Sequence, residues 1–164
     1  MEEKREVKQI KKYDEDGNLE CIVIPNYRKC DYFMSVNEIR FYKFLVKIIA
    51  TIRENENLNL EVYPQVALNR IIRQNNMREK ELEKDLFGKS IDYVIYDKNT
   101  NQIVCCIELD GPEHQTAEKR IERDKMIDRA FKSCDLELIH QSYSDNYDIE
   151  DYIRIIKNCI KNNC

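Results

Sequence analysis

The sequence predicts an α/β domain with a mixed central sheet flanked by helices, preceded by a β-hairpin and closed by a C-terminal helix. Two apolar runs, residues 90–96 and 103–109, are joined by the turn-forming stretch Asp97-Lys98-Asn99-Thr100-Asn101 and read as an antiparallel pair. Residues 35–54 repeat Ile39, Tyr42, Leu45, Ile48, Ile49 and Ile52 at helical spacing. Further helical and strand patterns then alternate to residue 162. These patterns describe a single domain over residues 1–164: a hairpin extension (1–34), a core (35–141) and a C-terminal helical segment (142–164).

Taken in order, residues 8–25 form a hairpin around Asp14-Glu15-Asp16-Gly17-Asn18, a strong turn signal. After the first helix, residues 60–68 read as a strand around Pro64-Gln65. Residues 77–86 are polar and read as a short helix or a loop. The antiparallel pair follows, and Gly111-Pro112 then breaks the chain. A helix over 116–133 carries Ile121, Ile127 and Phe131 on its core stripe. A strand over 136–141 and a helix over 147–162, with Ile149, Tyr152, Ile153 and Ile156 on its apolar face, complete the chain.

Composition narrows the function classes. The chain has 164 residues, 42% of them apolar and 35% charged, the profile of a folded globular protein rather than a disordered one. No apolar run approaches the roughly 20 residues of a membrane span, and Met1 to Glu6 is too charged for a secretory signal, so a cytoplasmic, intracellular protein is expected. Seven cysteines with no Cys-x-x-Cys pair, alongside two histidines, fit reduced and mostly buried thiols better than a zinc site. Cys105 and Cys106 are adjacent on a strand and point to opposite faces. A net charge of −4 argues against a passive DNA-coating protein but suits an enzyme whose acidic site takes a cation. Basic residues gather locally at Arg40, Lys43 and Lys47, at Lys119, Arg120 and Arg123, and at Arg154, Lys157 and Lys161. Each cluster reads equally as a solvated helix face.

The chemistry concentrates on the antiparallel pair. Asp92 starts one strand, while Glu108 and Asp110 end the other, so antiparallel pairing brings all three to one edge of the sheet. Glu108 and Asp110 share a face, about 7 Å apart along the strand. Converging carboxylates repel, and a hard divalent cation, Mg²⁺ or Mn²⁺, offsets that repulsion while keeping water for chemistry. Glu38 falls on the inward stripe of the first helix. It also completes a capping box with Ser35, and the two roles are compatible. His114 lies four residues beyond Asp110, placed for proton transfer, phosphate contact or plain exposure.

The segment Ile107-Glu108-Leu109-Asp110-Gly111, with His114 and Arg123-Asp124 after it and Ile91-Asp92-Tyr93 before it, resembles the PD-(D/E)XK nuclease superfamily. The resemblance is in particular to the very-short-patch-repair-like endonucleases and the related bacterial domain of unknown function 2726 proteins. Asn37-Glu38-Ile39-Arg40-Phe41-Tyr42 and Tyr63-Pro64-Gln65-Val66 resemble that branch's first helix and first strand, and the match runs over 35–141. The resemblance implies a restriction-endonuclease-like core (helix, three-stranded antiparallel meander, helix, strand) and metal-dependent cleavage of phosphodiesters, with DNA the expected partner. It implies Asp92 and Glu108 as metal ligands, Glu38 as an auxiliary acid and Gln65 as an orienting residue. Asp110, which the edge argument places among the ligands, stands where the superfamily has a lysine two residues after the glutamate. Lys119, Arg120, Arg123 or His114 would then supply the missing charge. Alternatives are a nucleic-acid-binding or assembly module that has lost cleavage, and a small structural or interaction protein without metal.

Overall fold

The computed structural model describes residues 8–24, 29–56, 58–73, 88–111 and 118–162. The expected short element at 77–86 lies outside the described residues. The chain divides into two compact units, residues 1–33 and 34–164.

The first unit holds the hairpin, β1 (Lys8–Tyr13) paired antiparallel with β2 (Leu19–Ile24). Its turn is closed by Asp14, whose carboxylate accepts from the amides of Asp16 (3.0 Å) and Asn18 (2.7 Å). Gly17 supplies the left-handed step, φ +82°.

The second unit contains α1 (Val36–Glu56), β3 (Leu60–Ala67), β4 (Ser90–Asp97), β5 (Gln102–Asp110), α2 (Glu118–Ser133), β6 (Leu138–Ser142) and α3 (Ile149–Asn162). The four strands form one mixed sheet in the order β3-β4-β5-β6. The first two pairings are antiparallel and the last is parallel. Pro64 stands on β3, at the edge of the sheet, where a missing N–H costs least. The turn between β4 and β5 is held by Asp97, which accepts from the Asn99 amide (2.9 Å) and the Thr100 hydroxyl (3.0 Å).

Each face of the sheet carries its own core. On one, Phe41, Leu45, Ile48, Ile49 and Ile52 of α1 pack with Tyr152, Ile156 and Cys159 of α3 against Leu60, Tyr93, Ile95, Cys105, Ile107 and Leu109. On the other, Ile127 and Phe131 of α2 cover Leu68, Ile91, Val94 and Cys106. Cys105 and Cys106 therefore do point to opposite faces. Cys105, Cys106 and Cys159 are buried free thiols, whereas Cys30 and Cys134 are exposed.

Two helix faces depart from the sequence expectation. Ile39 and Ile149 are substantially exposed, and the positions that bury are Phe41 and Cys159. Periodicity alone places a stripe only to within about one residue, because neighbouring apolar residues satisfy the 3.6-residue repeat almost equally. Phe41 is fully buried in an aromatic cluster. Its ring lies 4.8 Å from Tyr147, 5.4 Å from Tyr93 and 5.7 Å from Tyr152. These rings join α1, β4 and α3, so Phe41→Ala is expected to cost about 3–5 kcal/mol in a urea titration. A loss under about 1 kcal/mol, the range of ordinary surface changes, would contradict this packing role.

Candidate active site

Asp92 marks a break in strand regularity. Ile91 and Tyr93 are two apart and would share a face in a regular strand, yet they enter opposite cores. Across from them Pro64 pairs with Tyr93 and Val66 with Ile91, and the intervening Gln65 has φ +52°, the left-handed region. β3 turns over at the same level: Leu60 and Val62 pack on the α1–α3 side, Val66 on the α2 side. A non-glycine residue there is uncommon and costs strain, which is held where surrounding contacts fix it.

Those contacts are polar. Gln65 Nε2 donates to Glu38 Oε1 at 2.8 Å and to Asp92 Oδ1 at 3.0 Å, and Gln65 Oε1 accepts from the Ser90 hydroxyl at 3.0 Å. One amide thus bridges two carboxylates from different elements. Asp92 Oδ2 accepts from the Leu109 amide at 2.9 Å. The β4–β5 rungs end at Tyr93–Ile107, and beyond them the Asp92 side chain takes the amide of Leu109, two residues further along β5. Glu108 directly precedes Leu109 on β5. Leu109 N is bonded to Glu108 C, so the Asp92 carboxylate lies less than about 6 Å from Glu108 Cα, by adding bond lengths.

Glu38 is both a helix cap and a partner of Gln65. Its second oxygen accepts from the Ser35 amide, while the Ser35 hydroxyl accepts from the Glu38 amide at 3.3 Å, a capping box. The Glu38 carbonyl accepts from the buried Tyr93 hydroxyl at 2.7 Å. Burial first, then the charges of Asp92 and Glu38, pushes the Tyr93 phenol above its ordinary pKa, so it acts as a neutral donor.

Asp110 is drawn into a different group. Its carboxylate meets His140 Nδ1 at 3.4 Å, and the other ring nitrogen meets Asp128 of α2 at 2.9 Å. Parallel pairing sets His140 beside Glu108. His140 was invisible to sequence reasoning, because the parallel β5–β6 register that brings it to Glu108 leaves no local signature. Among the described residues, no three His, Cys, Asp or Glu side chains are grouped so as to hold a metal ion. Of the expected trio, Asp92 is bonded to the amide that follows Glu108, while Asp110 turns to His140. His114 lies outside the described residues. Lys119, Arg120 and Arg123 fall on α2, but their side chains lie outside what the structure describes.

With this geometry established, a family model described as "Protein of unknown function (DUF2726)" matches residues 31–159. The chain belongs to the DUF2726 family. No curated protein and no solved structure matches it. The DUF2726 match spans α1 to most of α3 and so contains the whole polar network around Asp92. Among the described residues, no helix is long and apolar enough to cross a membrane.

The His140 group makes the stability of this DUF2726 chain pH-dependent. Burial alone would lower the histidine pKa, but the hydrogen bond to Asp128 and the charges of Asp110 and Asp128 outweigh it, and the net shift is upward. A raised folded-state pKa stabilises fully below the unfolded value and is lost as pH rises through the folded one. The metal-free protein is therefore expected to lose Tm between about pH 6 and 8, the histidine range, more steeply than His140→Gln. Parallel Tm-versus-pH curves for the two proteins would rule this out.

Proposed function

We propose that this chain is a metal-dependent nuclease that hydrolyses phosphodiester bonds, acting as a DNA endonuclease. The observation that carries the reading is the Asp92 carboxylate at the end of the β4–β5 ladder, held by Gln65 and by the amide of Leu109, the residue after Glu108, with Gln65 also bonded to Glu38. The likeness of these positions to the PD-(D/E)XK superfamily supports it, as does the strand order helix–β-β-β–helix–β.

The donor chemistry fits a hard cation. Asp92 and Glu108 offer oxygen ligands, and Mg²⁺ typically takes only one or two carboxylates, completing its shell with water and substrate phosphate. Asp92 and Glu108 thus suffice for such an ion, with no third protein ligand required. When bound, such an ion would polarise the scissile phosphate and lower the pKa of the attacking water. The protein's own part is positional. The Leu109 amide and Gln65 hold the Asp92 carboxylate in one orientation, and Gln65 sets Glu38 beside it. His114 is assigned proton transfer to the leaving oxygen or from the attacking water. Lys119, Arg120 and Arg123, on α2, are assigned the nucleic acid backbone.

Asp110 favours a second reading, a nucleic-acid-binding module without cleavage. It occupies the position where the superfamily has its lysine, and its carboxylate is engaged with His140. Plasmid nicking with and without Mg²⁺ separates the two. The wild-type chain is expected to nick in Mg²⁺ or Mn²⁺ and to stop in EDTA. Asp92→Asn and Glu108→Gln are expected to abolish nicking while keeping a cooperative melt. Binding of DNA without any nicking would favour the module, and wild-type rates in either variant would remove Asp92 or Glu108 from the site.

A further inference from the structure

An open cavity of about 160 Å³ is lined by Asn37, Arg40, Tyr143, Ser144, Asp145 and Tyr147. It is below the roughly 300 Å³ at which small-molecule and cofactor sites begin, so it suits one small polar unit. Its wall is continuous with the candidate site. Asn37 directly precedes Glu38 on α1, and the Tyr143 amide donates to the Asp110 carbonyl at 3.2 Å.

One lining residue, Tyr147, is anchored by packing and by a hydrogen bond. The Tyr147 ring packs 4.8 Å from Phe41 and 5.1 Å from Phe44, and its hydroxyl accepts from the Ser144 amide at 3.0 Å. The rim carries the charge. Arg40 Nη1 lies 2.8 Å from Asp145 Oδ1, but the two side chains are 55% and 93% exposed. An ion pair so open to water is weak and is readily exchanged for a stronger guanidinium–phosphate contact. The side-chain amide of Asn37 adds a neutral donor of the kind that commonly meets phosphate and sugar oxygens, while the Ser144 hydroxyl donates to the Asn146 carbonyl at 2.8 Å. Beyond the cavity, Lys43 and Lys47 follow Arg40 at i+3 and i+7, and both are exposed, so one face of α1 continues the positive track.

We infer that this cavity is a phosphodiester subsite, in which Arg40 and Asn37 hold the nucleotide unit flanking the scissile bond and Asp145 guards Arg40 when no nucleic acid is bound. The inference rests on the nuclease reading and adds to it a contact on the α1 side. In it Asp145 acts as a competitor for Arg40, so removing either member of the ion pair has opposite effects on binding.

The test is fluorescence anisotropy with a short labelled DNA duplex, in EDTA so that cleavage does not interfere, across a salt series. Arg40→Gln is expected to bind about tenfold more weakly at low salt, with the salt slope reduced by about one. Asp145→Asn is expected to bind more tightly than wild type at low salt. Both positions are exposed, and a melting curve for each variant checks that the fold is kept. Wild-type affinity and slope in Arg40→Gln would overturn the subsite and leave the nuclease reading standing. Weaker binding by Asp145→Asn would also overturn it, because the ion pair would then be structural. No DNA binding by the wild-type chain would overturn the nuclease reading and the subsite together.

Discussion

The amide of Leu109 sits two residues past the last rung of the β4–β5 ladder, on a residue that is almost completely buried. A buried N–H without an acceptor costs on the order of 1–3 kcal/mol, and here the acceptor is the Asp92 carboxylate. That one bond lets β5 leave β4 while still extending to Asp110 alongside β6. It also commits one oxygen of Asp92 and leaves the other facing Gln65. The place where the two central strands part is therefore the place where acidic side chains gather.

The surrounding elements are arranged to hold that parting open. Gln65 reaches Asp92 from an edge strand by adopting a left-handed backbone, and the same amide nitrogen reaches back to Glu38 at the start of α1. Glu38 is in turn fixed by its capping box and by the Tyr93 hydroxyl on its carbonyl. Tyr93 belongs to the aromatic cluster around Phe41. Helix start, strand twist and core packing thus converge on one carboxylate pair. Such support from rigid elements is what a metal or phosphate site needs to stay within a fraction of an ångström of its working geometry.

Much of this arrangement is legible in the residues. The antiparallel pairing of β4 and β5 follows from the turn between them, which is recognisable because Asp97, Asn99 and Thr100 close it with their own hydrogen bonds. Glu38 stands out because an acid on an apolar stripe needs a polar reason. Three features are not legible, each because it depends on contacts distant in sequence. The β3–β4 turnover at Gln65 and Asp92 violates the strand alternation that sequence reading assumes. The register shift between Ile95 and Tyr96 places the neighbours Val104 and Cys105 in one core, which alternation forbids. The diversion of Asp110 to His140 depends on a parallel register set across an intervening helix, so a residue expected beside Asp92 is claimed by another strand.

The most direct test is a crystal structure of the protein soaked with Mn²⁺, read from its anomalous difference density. The account predicts one peak within ordinary oxygen-coordination distance of both the Asp92 and Glu108 carboxylates, with the Leu109–Asp92 hydrogen bond retained. A peak elsewhere, or none near Asp92 at saturating Mn²⁺, would contradict it.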